Sequence, residues 1–304
     1  MTAYALLMTL AVSTGPTSDD AHPLPWGFLG HEMAAHAAVL ALPASMPDFF
    51  RSAGEQLVYL DPEPDRWRNF SMREMDQAFS YDHYIDMENV PTGALDAPDR
   101  FTYLKALYDA GLPKPERDAG FLPYRILELY QRVVTEFRMW RNETDPTRRG
   151  WIEQRIINDA GVLGHYVTDA SQPHHSTIHF NGWRNSDALG NAVPNPEGYS
   201  GGGDFHSRFE RLFVEAHVTQ ADVNRHMPRS APTDATGRTR AMVMEHIQES
   251  SGNVEALYRL DRDVGFDPAG PLNPETRDFA AERLASGGAM LSVLWWSAWN
   301  ESGS

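Results

Sequence analysis

Apolar residues recur at helical spacing along much of the chain. From about Phe121 to Trp140 they fall on one face of a helix, at Ile126, Tyr130, Val133, Val134 and Phe137. No segment shows the alternation of apolar and polar residues that a half-buried strand requires. The pattern predicts an all-α fold, built as a single multi-helix domain.

Capping residues and prolines mark the other expected helices. They are an Ala-rich helix after His31 that runs to about Leu42, a short one from about Pro47 to Tyr59, one opened by Asp145-Pro146, one at Phe205, two from about Arg238 to Ser250 and Val254 to Val264, and a last one from Asn273-Pro274 to Trp299. The segment Asp61–Arg68, with two prolines, is expected to be an irregular turn. Residues 181–203 are expected to form a long loop, and loops of this length usually lie at functional sites. Gly287-Gly288 indicates close helix packing.

The stretch Gly164–His175 carries the densest candidate chemistry. His165 and Asp169 are four residues apart near a helix end and therefore share one face. Pro173 stops the helix, and His174 and His175 follow, able to bend back. This spacing suits a zinc site. A core histidine capped by a carboxylate is an equally simple interpretation of the motif alone.

Further His, Asp and Glu residues lie in similar patterns. His206 and Glu210 again share a helix face, and Asp65 has Asp61 as a rival for any ligand role. Each has an ordinary explanation, such as a surface pair, a turn cap or a core histidine. The combined inventory is harder to attribute to chance: His31, Asp65, His83, His165, Asp169, His175, His206 and Glu210, besides Trp26.

Composition narrows the possible chemistry. The 304 residues are 41% hydrophobic and 22% charged, as expected of a globular chain with a sizeable core. The absence of cysteine excludes disulfides and thiolate metal sites, so any metal is held by His, Asp and Glu. The net charge of −16 argues against a surface that coats nucleic acid, although bound metal would make a cleft locally positive. No apolar run is long enough for a transmembrane segment.

The N-terminus resembles a weak export signal. Ala3–Val12 is apolar, a small-residue cleavage site follows at Ser13, and the next stretch is polar and proline-rich. We therefore expect a leader in residues 1–25 and one domain in residues 26–304. The expected location is periplasmic or secreted, and no obligate protein partner is evident.

The order of these motifs resembles the superfamily of bacterial zinc-dependent phospholipase C and single-strand nucleases. The likeness runs from Trp26 to about Val218 and is greatest to exported bacterial phospholipase C-like proteins. It implies a helical domain that encloses a cleft with three zinc ions. The implied ligands are Asp65, His83, His165 and Asp169 for the first zinc, His175, His206 and Glu210 for the second, and Trp26, His31 and Asp169 for the third. His174 could compete with His175.

The resemblance also implies the reaction. A zinc-activated water would hydrolyse a phosphodiester, as in other phosphoric diester hydrolases, with Asp65 orienting or deprotonating the water. Arg68 would clamp a phosphate oxygen. Trp26 would bind zinc through a free α-amino group, which requires cleavage after Pro25, a residue that signal peptidase disfavours.

The substrate stays open between phospholipid and single-stranded nucleic acid. Glu210 matches the phospholipases. Tyr84 and Asp86 stand where the nucleases stack and read a base, whereas Leu29, Arg66 and Ser80 replace the phospholipase choline pocket. A quaternary ammonium needs such an aromatic cage. A zinc-stabilised binding protein without turnover is a remote alternative.

Overall fold

The structure, a computed structural model, describes residues 27–200 and 202–304. Fifteen α-helices follow one another in these ranges, and the only bridges found there are two isolated pairs in the loop after Phe180. The helices are α1 (Phe28–Leu40), α2 (Asp48–Ser52), α3 (Gly54–Leu60), α4 (Glu63–Trp67), α5 (Arg73–Phe79), α6 (Arg100–Asp109), α7 (Pro115–Ala119), α8 (Leu122–Asn142), α9 (Pro146–Asp169), α10 (Phe205–Ser207), α11 (Val214–His217), α12 (Gln220–His226), α13 (Thr239–Gly252), α14 (Val254–Asp263) and α15 (Pro274–Glu301). The prediction of an all-α fold is confirmed.

Two expectations about the local structure are wrong. The segment expected to be an irregular turn contains α4, because Pro64 lies in the first turn, where its missing N–H costs nothing. The helix expected from Pro47 to Tyr59 is divided at Ala53 into α2 and α3. The predicted leader and Trp26 lie outside the described residues.

Helix α9 is the centre of the fold. It packs against α8, α15 and α3, and it is buried along nearly all of its second half. Asp145 caps its first turn by accepting from the Thr147 and Arg148 N–H groups, as the Asp-Pro signal predicts. Its apolar face joins a core with Phe137 of α8 and Trp295 of α15. This packing fixes the end of α9, where His165 and Asp169 lie.

Glycines let neighbouring helices approach α9 and α1 closely. A Cβ atom at Gly288 would lie 2.7 Å from the Ala34 carbonyl oxygen of α1, and one at Gly161 would lie 2.5 Å from Leu60 Cβ. Glycine inside a helix costs roughly 1 kcal/mol relative to alanine. The close contact predicted from Gly287-Gly288 is present, and the lost helix propensity is offset by the burial that it permits. Across the described ranges, none of the helices combines the length and apolarity of a membrane span.

We predict a pH-dependent contribution from Glu136 on α8. Burial and the neighbouring Asp159 raise the pKa of Glu136 to about 7, although Arg155 donates to it at 3.0 Å. The folded state therefore keeps a proton that the unfolded chain releases. The free energy of unfolding consequently falls as the pH rises from the ordinary glutamate pKa towards 7. Glu136→Gln removes this effect. Its melting temperature relative to the parent should rise between pH 5 and pH 8, on the order of 2–4 °C.

Glu55→Gln, at an exposed position on α3, is the matched control and should show a pH-independent difference. A Glu136→Gln curve that runs parallel to the parent curve over this pH range would contradict the prediction.

Candidate metal centre

The last turn of α9 and the residues after it supply three of the candidate ligands. His165 and Asp169 are fully buried on one face, and α9 ends at Asp169. A 3-10 turn over Pro173–Ser176 then carries His175 back toward that face, where its Nδ1 atom lies 3.7 Å from Asp169 Oδ1. The proline after the helix therefore produces the return that the sequence indicated.

The first group, the His165 cluster, consists of Asp65, His83, His165 and Asp169. His165 Nε2 lies 3.0 Å from His83 Nδ1, 3.3 Å from Asp169 Oδ2 and 3.6 Å from Asp65 Oδ1. His83 Nδ1 is also 3.0 Å from Asp169 Oδ2. His165 Nε2 thus lies within 3.6 Å of ligand atoms from α4, from the end of α9 and from the segment after α5.

The second group, the His31 cluster, consists of His31, His165 and Asp169. His31 Nε2 lies 3.5 Å from Asp169 Oδ1, and the His31 ring stacks on His165 with centroids 4.0 Å apart. Asp169 therefore offers one carboxylate oxygen to each of the first two clusters. This arrangement suits a bridging ligand.

The third group, the His175 cluster, consists of His175, His206 and Glu210. His206 Nε2 lies 3.1 Å from His175 Nε2 and 2.7 Å from Glu210 Oε2, and the His175–Glu210 contact is 3.5 Å. His206 lies in α10, whereas Glu210 lies in a π-helical stretch over Arg208–Phe213. Such π segments in α-helices recur at functional sites.

The spacing of these atoms fits zinc. Two atoms bound to one tetrahedral zinc at its usual bond lengths lie about 3.3–3.6 Å apart. The separations within the clusters run from 2.7 Å, between His206 Nε2 and Glu210 Oε2, to 3.6 Å, between His165 Nε2 and Asp65 Oδ1. Buried atoms such as His31 Nε2 and Glu210 Oε1 have no hydrogen-bond partner within the described ranges. The donor set therefore fits a metal that takes imidazole and carboxylate ligands.

Surrounding groups orient the ligands, and no motif in the sequence indicates these groups. The short contact of 2.6 Å from His175 Nδ1 to the His83 carbonyl oxygen leaves Nε2 of His175 free for the cluster. Gln172, which is fully buried, donates from Nε2 to Glu210 Oε2 at 3.0 Å. Asp82, next to His83, lies between Arg100 and Arg125 and holds that segment in place. Only the folded chain brings these partners together.

His174, the possible competitor of His175, packs elsewhere. Its ring meets Phe205 edge to face at 4.7 Å and also contacts Phe209 and Tyr258. None of the three potential metal groups found among the described residues includes it. The structure brings His175, not His174, to His206 and Glu210.

Burial shifts the pKa values of the carboxyl and imidazole groups in the clusters. It raises the pKa of Asp65, Asp169 and Glu210 to about 7, and it lowers the pKa of His165 to about 4 and that of His206 to about 3. The imidazoles of His165 and His206 are therefore neutral at pH 7, with lone pairs available for a metal. Neighbouring groups, among them Arg68 beside Asp65 and Asp169, offset only part of the effect of burial on the carboxyl pKa values, and a divalent cation would supply further positive charge.

A small pocket lies beside the clusters. It is lined by the ligand candidates His83, His175 and His206, by the residues that the sequence assigned to substrate, Arg68, Tyr84 and Asp86, and by His174 and Phe180. Within the described part of the chain, the Arg68 guanidinium has no hydrogen-bond or ion-pair partner. Phe180, which precedes the long loop, lacked any sequence signal. Arg68, Tyr84 and Asp86 thus share one pocket with His83, His175 and His206.

Comparisons with known proteins give one distant likeness. No protein-family model and no curated protein matches the chain. Among solved structures, the alpha toxin from Clostridium absonum aligns over 90% of this chain at 12% identity with a TM-score of 0.44. The chain spans 65% of that toxin's length. A likeness at this level concerns the helical arrangement alone.

Zinc should stabilise the metal-free protein. Binding at a concentration of 100 Kd adds about 2.7 kcal/mol, or on the order of 5–10 °C in melting temperature. Elemental analysis should then find about two to three zinc ions per chain.

His206→Gln should remove the ion of the His175 cluster alone. His246→Gln, at a buried histidine outside the clusters, should leave the zinc content unchanged. Less than one zinc per chain in the parent would overturn the metal centre.

Proposed function

We propose that the protein is a zinc-dependent phosphodiesterase whose reaction resembles that of phospholipase C. The observation that carries this proposal is the convergence of the three buried clusters next to an open pocket that holds Arg68. Five imidazoles and three carboxylates supply nitrogen and oxygen ligands alone, which suits zinc. Trp26 remains a proposed ligand from outside the described residues.

The assigned roles follow from charge and position. Zinc ions held by these residues supply Lewis acidity towards phosphate oxygens and lower the pKa of water towards about 7. Asp65 belongs to the His165 cluster and is the carboxylate that we assign to orient the attacking water and accept its proton. Arg68 follows Asp65 by three residues and lines the pocket. Its planar guanidinium group can bind two oxygens of a phosphodiester.

Among the described residues Arg68 has no hydrogen-bond or ion-pair partner, and this supports its role as phosphate clamp. An arginine beside several buried carboxylates ordinarily forms ion pairs, yet those carboxylates face the histidines. The guanidinium is thereby free to bind an anionic substrate. An open pocket with a free cation also argues against a closed, purely structural zinc site. The alternative of a binding protein without turnover is therefore the weaker one.

A lipid substrate is supported by the loop that follows Arg68. Phe70 is 73% exposed and Met72 is 57% exposed, two and four residues after the proposed clamp. Exposed apolar side chains beside a site suit contact with the boundary between lipid head groups and acyl chains. This observation favours the phospholipase C-like activity.

A single-strand nuclease is the second candidate, and the pocket interior supports it. Tyr84 and Phe180 supply aromatic rings, and Asp86 supplies a carboxylate that is only 7% exposed. Burial and the nearby Glu88 raise the pKa of Asp86. A flat base could stack on the rings and hydrogen-bond to this group. The Tyr84 hydroxyl donates to the Arg117 carbonyl at 2.7 Å and holds the ring in place.

Turnover of bis-p-nitrophenyl phosphate tests the proposed reaction. Arg68→Ala should lower kcat/KM by roughly 100- to 1,000-fold, because it removes a charge that stabilises the transition state. Its zinc content and melting temperature should stay close to those of the parent. Arg66→Ala is the matched control, since Arg66 pairs with Glu63 and does not line the pocket. Equal activity of Arg68→Ala and the parent would remove Arg68 from the mechanism, and an inactive zinc-loaded parent would overturn the proposed function.

Tyr84→Ala distinguishes the two substrates. Loss of one stacked base costs about 1–3 kcal/mol, so cleavage of single-stranded DNA should fall roughly 5- to 150-fold while the small diester is little affected. Tyr84→Phe keeps the ring and should retain most of the DNA cleavage. If phosphatidylcholine vesicles are cleaved instead and Tyr84→Ala shows no such selectivity, the lipid substrate is favoured.

A further inference from the structure

Asp61 is a buried carboxylate that the proposed mechanism does not use. It follows α3 directly, is fully buried, and accepts from His31 Nδ1 at 2.9 Å through Oδ1. Its second oxygen has no hydrogen-bond partner among the described residues. Asp61 is not a member of any of the three clusters. The sequence left it as a rival of Asp65, whereas the structure separates the two: Asp65 faces His165, and Asp61 faces His31.

The fold makes room for this carboxylate. A Cβ atom at Gly164 would lie 2.1 Å from Asp61 Oδ2, so only glycine fits there on α9. If position 61 only had to pack against the helices, an apolar side chain would be sufficient there. A carboxylate sealed from water with one neutral imidazole as its partner is unfavourable unless it has another use. This residue pair points to a function for Asp61.

The proton on His31 explains that function. A neutral imidazole carries one N–H, and the contact with Asp61 holds this proton on Nδ1. The lone pair is then on Nε2, which faces Asp169 Oδ1 at 3.5 Å and has no hydrogen-bond partner within the described ranges. Histidines that bind metals commonly donate their other ring N–H to a carboxylate in this way. Because His31 stacks on His165, the same contact also fixes the face that His31 presents to His165.

We propose that Asp61 is a positioning residue for a metal ion in the His31 cluster, an inference that rests on the proposed zinc function. Asp61 holds the His31 tautomer whose Nε2 lone pair points at the space shared with Asp169. It also makes that nitrogen a stronger donor, because a carboxylate on Nδ1–H increases the basicity of the ring. Gly164 contributes by leaving the space that the Asp61 carboxylate fills.

Zinc affinity of the Asp61→Asn protein tests this inference without relying on turnover. Competition with a zinc chelator should show that the zinc of the His31 cluster binds roughly 10- to 100-fold more weakly, while the others keep their affinity. The ¹⁵N shifts of the His31 ring should report loss of the uniform Nδ1–H tautomer. Asp159→Asn, at another buried carboxylate and outside the clusters, is the control and should leave the zinc affinities unchanged.

The metal-free protein separates this role from a purely structural one. If Asp61 serves the metal, removing its buried charge should leave the melting temperature of metal-free Asp61→Asn and Asp61→Leu equal to or above that of the metal-free parent. The zinc-loaded variants should melt below the zinc-loaded parent. Equal losses with and without zinc would make Asp61 a packing residue and overturn the inference.

A pair of glycine variants provides an independent check. Gly164→Ala pushes on the Asp61 carboxylate, whereas Gly161→Ala crowds Leu60 one turn earlier on the same helix. Only Gly164→Ala should weaken zinc binding at the His31 cluster. If both variants weaken it equally, the effect comes from helix spacing and the inference fails. If the parent itself binds no zinc, the proposed function fails; if the parent binds zinc and Asp61→Asn binds it as tightly, only this inference fails.

Discussion

Four carboxylates, those of Asp61, Asp65, Asp169 and Glu210, are buried in one region of the protein, and this burial is the constraint on which the site depends. Each buried charge costs several kcal/mol unless it is compensated. Burial lowers the pKa of His83, His165 and His206, so these three imidazoles are neutral at pH 7 and do not provide positive charge. Divalent cations would provide it, and the separations between ligand atoms leave space for them. Stability of this region and metal binding are therefore expected to be coupled.

Helix α9 meets this constraint because it combines a rigid position with small residues. Long helices α8 and α15 pack against it and hold its end, while Gly161 and Gly164 admit the end of α3. Ligand candidates from distant parts of the sequence can thus approach His165 and Asp169 closely. The same residues that weaken the intrinsic helix propensity of α9 permit the dense packing around the clusters. At Gly161 and Gly164, close packing around the candidate ligands therefore takes precedence over helix propensity.

The pocket is built differently, from loops and helix ends. His83, Tyr84 and Asp86 belong to one segment that is tied by backbone hydrogen bonds to the start of α8 and to His175, for example from Ile85 N–H to the His175 carbonyl at 2.8 Å. Phe180 comes from the other side. His165 and Asp169 are therefore fixed by the helical core, whereas His83 and the pocket residues beside it are held by connecting segments. The clusters and the pocket share His83, His175 and His206.

Local patterns in the sequence determined the all-α fold, the long helices α8, α9 and α15, and the candidate ligands, because helical periodicity, caps and prolines act over a few residues. The pairs His165 and Asp169, and His206 and Glu210, were predictable for the same reason, since four residues make one helical turn. Tertiary structure alone decided what lies between distant segments. It turned His174 towards Phe205, brought Gln172 to Glu210, and placed Asp61 on His31 through a gap left by Gly164. Gln172 and Glu210 are 38 positions apart, and the other contacts also join distant parts of the sequence. No short-range pattern encodes such contacts, because they depend on which helix faces meet and how closely the backbones approach.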